Sequence, residues 1–264
     1  MTLSQIRETD NALSQIVGDA HLRIPNALEG TPVQTTAKVL SSLVAGLVSL
    51  KSGVLDLAAT GNVYGTFVLF RVFLEHIVKT KAIFLKALDE QSDDFAKQYL
   101  RLRIKEAYDY LHACEQAGLQ IGGNRKTVLD EWIPDAQALS CKEVKRLDEQ
   151  FKYRGLIRTI RELINSDFPD FLSKIIPNYS ELSGFVHGGP TAREKLAVLH
   201  SEGRAEAKLY HVADLSVDML YSAQRWLLML AAAFCPEFDQ LYNSLDKALN
   251  AQTEHSAAPP SDAE

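Results

Sequence analysis

Apolar residues along this chain recur at intervals of three and four rather than two, so the pattern predicts helices and no strand. Leu3 to Val17 reads as a first amphipathic helix. His21 to Pro32 carries Pro25, Gly30 and Pro32 and reads as a connection. Val33 to Ala59 is a long helix with Val39, Leu43, Leu47, Leu50 and Leu55 facing inward. Thr60-Gly61-Asn62 breaks it, with Asn62 placed to cap the helix Val63 to Leu88. The first half of that helix is apolar almost all round, which places it at the centre of a bundle.

Asp93 to Ala117 is amphipathic and heavily charged, and Gly118 to Arg125 is a loop. Thr127 to Ser140 is ambiguous because Pro134 falls inside it. Short helices are expected near Cys141 to Lys152 and Leu156 to Asn165. Pro177 can start a helix that runs to His187, where Gly188-Gly189-Pro190 stops it. Ala205 to Phe234 is a third long helix, and Pro236 starts a last one ending near Leu249. The tail Ala251 to Glu264 is polar and is expected to be disordered. The fold class is therefore all-α: one multi-helix bundle of about seven to nine helices, with residues 1–250 as a single domain.

Composition narrows the function classes. The formal net charge of −6 excludes a wholly basic surface for coating nucleic acid and leaves room for a local basic patch. Cys114, Cys141 and Cys235 match no zinc or disulfide spacing, which suggests a reducing compartment. The longest clean apolar run, Trp226 to Cys235, falls far short of a bilayer span, and Lys51, Asp56 and Arg71 interrupt the apolar stretch Val39 to Phe73. A soluble, cytoplasmic protein without membrane contact is expected.

Two stretches place polar groups where apolar packing is expected. In Phe67 to His76, Arg71 and Glu75 lie four apart on one helix face among apolar neighbours. Natural cores usually avoid such a pair because its desolvation is costly, so further hydrogen bonds, a polar partner helix or a ligand must compensate. In Tyr179 to Pro190, Tyr179, Ser183 and His187 are spaced four and four, within an arc of about 80° at the edge of the buried face. These residues either complete a structural network around the Arg71–Glu75 pair or line a site. In a site, Arg71 would hold an anion such as phosphate, His187 would transfer protons, and Tyr179 and Ser183 would position the substrate.

With R-x3-E as Arg71 and Glu75, and Y-x3-S-x3-H-G as Tyr179, Ser183 and His187-Gly188, the chain resembles a family of bacterial all-helical proteins of unknown function. The resemblance spans roughly Val39 to Gly189. That family is similar to the HEPN superfamily (higher eukaryotes and prokaryotes nucleotide-binding). The resemblance implies a helical bundle, often dimeric, that binds RNA or a nucleotide. Many such proteins are metal-independent ribonucleases of phage defence and toxin–antitoxin systems, sometimes with a companion protein. Their signature R-x4–6-H is met by Arg71 and His76, and also by Arg193 with His200 and Arg204 with His211. Arg71 and His76 stand about 140° apart on one helix, so His187 is the first choice of histidine and His76 the second.

The resemblance implies a metal-free cleavage in which Arg71 steadies charge on the phosphoryl oxygens and His187 or His76 is base or acid. No cofactor or metal is expected. The positive charge that RNA needs would come from Lys97-Arg101-Arg103-Lys105 or from Lys142 to Arg161, both interleaved with acids. A second reading is a non-catalytic interaction module in which Arg71, Glu75, Tyr179, Ser183 and His187 form a structural network.

Overall fold

The computed structural model describes residues 1–119, 140–164 and 169–257, and all regular structure in them is helical. Helix α1 (Leu3–Val17) opens with a reciprocal cap: Thr2 Oγ1 accepts from Gln5 N–H, and Thr2 N–H donates to Gln5 Oε1 at 2.8 Å. Its buried residues Ile6, Asp10, Leu13 and Val17 follow the three-and-four spacing. The segment expected as a connection folds as α2 (Ala20–Ala27) despite Pro25. Burial of Ala20, Ile24 and Leu28 at helical spacing outweighs the one lost backbone bond.

The centre is built by α3 (Gln34–Ala59), α4 (Val63–Glu90) and α11 (Ala205–Phe234), which pack on one another. These are the three long helices read from the periodicity, with one end of α3 and one of α4 shifted by one or two residues and α11 as expected. Gly61, at φ 71°, turns α3 into α4, and Asn62 Oδ1 caps α4 by accepting from Gly65 N–H at 2.9 Å. The start of α3 is capped from outside it. Buried Asp93 accepts from the amides of Thr35 at 2.8 Å and Thr36 at 2.7 Å, satisfying two orphan donors. By length and composition α3 could cross a membrane. Here its apolar residues Leu40, Val44, Leu47 and Val54 are fully buried in the bundle.

A buried polar clamp ties α1 to this centre. Lys51 Nζ donates to both carboxylate oxygens of Asp10, at 2.5 and 2.7 Å, and Tyr221 Oη donates to Asp10 at 2.8 Å. The expected single helix from Asp93 to Ala117 is two, α5 (Asp94–Leu100) and α6 (Leu102–Gln116), broken at Arg101. The ambiguous stretch Thr127 to Ser140, apart from its last residue, and most of the loop Gly118 to Arg125 lie outside the described residues.

The peripheral layer is α7 (Cys141–Phe151), α8 (Tyr153–Leu163), α9 (Pro169–Val186) and α10 (Pro190–Ser201). Helix α9 starts at Pro169 and continues through Pro177, where the sequence suggested a start. Pro177 lies on the exposed side, and Ile175, Leu182 and Phe185 on the other side are buried, so packing carries the helix past it. After a 3-10 turn, Pro236–Phe238, the last helix α12 (Asp239–Ala257) overruns both the expected end at Leu249 and the start of the tail expected to be disordered. Residues 258–264 lie outside the described residues.

Candidate functional site

The site begins with the docking of α9 on α4. Tyr64 Oη donates to the Phe185 carbonyl at 2.8 Å, adding to the bond that this carbonyl accepts from Gly188 N–H at the end of α9. The Phe185 ring meets Phe67 edge-on at 5.0 Å. These contacts join the end of α9 to the start of α4, so the helices run antiparallel. Two turns further along α4, Arg71 and Glu75 meet Tyr179.

There the side chains interlock. Arg71 Nη1 pairs with Glu75 Oε1 at 2.8 Å, and Tyr179 Oη donates to the same oxygen at 3.3 Å. The guanidinium carbon lies 3.4 Å from the centre of the Tyr179 ring. Tyr153 of α8 stacks on Tyr179 with ring centres 3.3 Å apart and planes 8° from parallel. Both layers cannot occupy one face of the ring at these distances. The order is therefore guanidinium, Tyr179, Tyr153. A cation on an aromatic face is worth about 0.5–2 kcal/mol, more where water is excluded. The Arg71 side chain is 10 % exposed and that of Glu75 38 %. The pair thus has an inner cation and an outer acid. Arg71 Nε and Tyr153 Oη are buried and accept or donate no hydrogen bond.

Burial raises both phenols. Tyr153 is pushed up to about 12, by desolvation first and then by Tyr179 beside it. Tyr179 moves the same way: desolvation dominates, Glu75 adds to it and Arg71 opposes it.

The outer side of this stack lines a cleft of about 680 Å³. Glu75 and Lys79 come from α4, Glu149 from α7, Lys152 from the elbow, Tyr153, Arg154 and Arg158 from α8, and Tyr179 from α9. A second cleft of about 560 Å³ shares Tyr153, Arg154 and Arg158 and adds Arg161 and Glu162. The charge balance is uneven. Glu75 is held by Arg71, and Glu149 by Lys152 at 2.7 Å. Lys79, Arg154, Arg158 and Arg161 make no ion pair among the described residues. Among the described residues, an acidic protein therefore carries a local patch in which cations outnumber acids.

The elbow between α7 and α8 sets this geometry. Lys152 alone separates the helices, in an extended conformation at ψ 155°. A Cβ on Gly155 would lie 2.3 Å from the Gln150 carbonyl oxygen and 2.4 Å from that of Glu149. Only glycine allows α8 to start so close to α7 and present Tyr153 to Tyr179.

Of the residues singled out in the sequence, the structure brings together Arg71, Glu75 and Tyr179. Ser183 lies one turn along α9 and is half-buried. His187 is exposed, two turns or about 12 Å beyond Tyr179 and toward the Tyr64 end of α4. His76 faces α3: its Nδ1 is 3.0 Å from the Val72 carbonyl oxygen, and its ring would meet a Cβ on Gly46 at 3.6 Å. Neither histidine lines the cleft. Of the two charged segments, Lys97, Arg101 and Arg103 are exposed on α5 and α6 and Lys105 pairs with Asp109, a solvated face. The second, through Lys152, Arg154, Arg158 and Arg161, supplies the cleft. Tyr153, Gly155 and Lys79 were not singled out. An aromatic between two cations, Lys152-Tyr153-Arg154, was the available signal.

Fold and site together define an all-α multi-helix bundle with an arginine–tyrosine–tyrosine stack on the wall of a basic cleft. In comparison with known proteins the chain matches no family model, no curated protein and no solved structure.

Proposed function

We propose that this protein binds RNA or a nucleotide in the basic cleft between α4, α7, α8 and α9. The carrying observation is the set of cations without an ion pair among the described residues, Lys79, Arg154 and Arg158, around the half-buried aromatic wall of Tyr153 and Tyr179. Phosphates take the cations, and the outer side of Tyr153 offers a π-surface to a base. The resemblance of the Arg71–Glu75 and Tyr179–Ser183–His187 motifs to HEPN proteins points the same way.

Metal-independent RNA cleavage is the further step of this reading. Of the two glutamates that line the cleft, Glu75 belongs to the stack, and it takes the proton from the ribose 2′-OH as that oxygen attacks phosphorus; the bond from phosphorus to the 5′-oxygen breaks, that oxygen leaves with a proton from water, and a 2′,3′-cyclic phosphate remains. Arg71 holds Glu75 in place from the inner side, and Lys79 and Arg154, which line the cleft, steady the growing negative charge. His187 and His76 have no part in this version.

The test is fluorescence anisotropy of a labelled oligouridine RNA in EDTA, with cleavage followed on gels. Wild type should bind at low salt. The double variant Arg154→Ala/Arg158→Ala should lose about tenfold or more in affinity while melting normally. Glu75→Gln should bind and fail to cleave. Equal affinity in wild type and the double variant would refute binding in this cleft.

A second reading rests on a different observation. Arg71, Glu75, Tyr179 and Tyr153 interlock across three helices through an ion pair, a hydrogen bond and two stacked contacts, as a structural network would. In that case the protein is a helical interaction module, and Glu75→Gln changes stability without changing any RNA property.

A further inference from the structure

The second cleft, of about 560 Å³, continues the first along α8. The two share Tyr153, Arg154 and Arg158, which stand where they meet. The second adds Arg161, with Ile157 and Ile176 as its apolar wall. Arg154, Arg158 and Arg161 are spaced four and three, so they form one stripe on α8 within an arc of about 60°. The helix rises about 6 Å from the first arginine to the second and about 4.5 Å to the third.

Like charges at these spacings repel and weaken a helix. On a solvated face, acids one turn away usually answer them. Here all three arginines are exposed, and none makes an ion pair among the described residues. Glu162 stands four residues past Arg158 and is the acid among the described lining residues of the second cleft. Three cations therefore face one acid, and an anionic ligand along the stripe would offset their repulsion.

One phosphate cannot meet the whole stripe. Arg161 lies about 12 Å along α8 from Tyr153, beyond Arg158, and does not line the first cleft. A mononucleotide stacked on Tyr153 would leave it unused. The phosphates of a strand recur at a spacing of the same order as the rise between successive arginines, and a charged groove can follow them. Each cleft also has the volume of a small-molecule site, so the two together exceed what one nucleotide fills.

We propose, resting on the reading that the first cleft binds RNA or a nucleotide, that the second cleft is a subsite for the adjoining nucleotide, with its phosphate at Arg161 and its ribose or base against Ile176. The ligand is then an oligonucleotide rather than a mononucleotide, and Arg161 sets the length that is recognised.

The test is competition against labelled oligouridine in EDTA, by uridine 5′-monophosphate and by 5′-phosphorylated triuridine. On wild type, triuridine should compete at a concentration lower by about tenfold or more, because it reaches further cations. Arg161→Ala should remove most of that advantage, and Arg161→Glu all of it. Against salt, the logarithmic slope for oligouridine should become shallower by about 0.7 in Arg161→Ala, the loss of one phosphate contact on a single strand. If oligouridine does not bind wild type, or binds Arg154→Ala/Arg158→Ala equally well, the first cleft is not an RNA site and the subsite falls with it. If that binding holds, two results refute the subsite alone. One is monophosphate competing as well as triuridine. The other is Arg161→Ala, melting normally, matching wild type in both competition and salt slope.

Discussion

The guanidinium of Arg71 lies over the ring of Tyr179, its carbon 3.4 Å from the ring centre, while its Nη1 holds Glu75 at 2.8 Å. One inner arginine thus joins two helices and holds an acid at the edge of a cleft. The pairing answers the question posed by a charge pair in an apolar helix: an aromatic face and a phenol hydroxyl compensate much of its desolvation.

Removing parts of Tyr179 should separate these roles. Tyr179→Phe keeps the stack and loses only the hydrogen bond to Glu75, at a cost of about 0.5–1.5 kcal/mol. Tyr179→Ala also loses the contact with Arg71 and Tyr153 and should cost about 3–5 kcal/mol. Urea denaturation of the two variants measures both values.

Gly155 should tolerate no side chain. Gly155→Ala places a Cβ against two backbone carbonyls, which cannot retreat as a flexible side chain would. We expect a loss of about 2–3 kcal/mol or a displaced α8, read by thermal melting, and a weaker affinity for oligouridine in the same variant. An alanine variant as stable as wild type would show that the elbow opens freely.

The clamp under α1 should behave as a coupled pair. The side chains of Lys51 and Asp10 are 9 % and 12 % exposed, so Asp10→Asn strands a buried ammonium and should cost about 3–5 kcal/mol. Asp10→Asn with Lys51→Met removes the charge problem and should recover most of that loss. A double-mutant cycle in urea checks the coupling.

Alkaline titration should find Tyr153 among several late phenols, since burial also raises Tyr99, Tyr179 and Tyr221. Its folded pKa of about 12 lies above the ordinary value of 10.0, so the folded protein holds the proton more tightly than the unfolded chain. The resulting stability is fully present below pH 10 and is lost as pH rises through 12. In phenolate absorbance against pH, Tyr153→Phe should delete one late-titrating phenol, and its stability should fall less steeply across this window.

The sequence showed the helices well where one face is continuously apolar. The three long helices α3, α4 and α11 and the Asn62 cap follow directly from spacing and side-chain chemistry. Proline misled twice. Pro25 and Pro177 read as breaks, and burial of Ile24 and Leu28, or of Ile175 and Leu182, carried the helices through. Arg71, Glu75 and Tyr179 were legible because polarity interrupts an apolar face. Tyr153 was not, because an aromatic in a charged, exposed helix carries no such contrast, and its partner is set by an elbow that depends on Gly155. His187 matched a motif, yet a motif gives spacing along one helix and not the side of the bundle on which that helix ends.

Photo-crosslinking tests the central claim most directly. A 4-thiouridine-labelled RNA is irradiated with the protein in EDTA and the linked peptide is found by mass spectrometry. The account predicts links within 152–161 or at Tyr179, lost in Arg154→Ala/Arg158→Ala. Links confined to the Lys97–Lys105 face of α5 and α6, or unchanged in that variant, would contradict it.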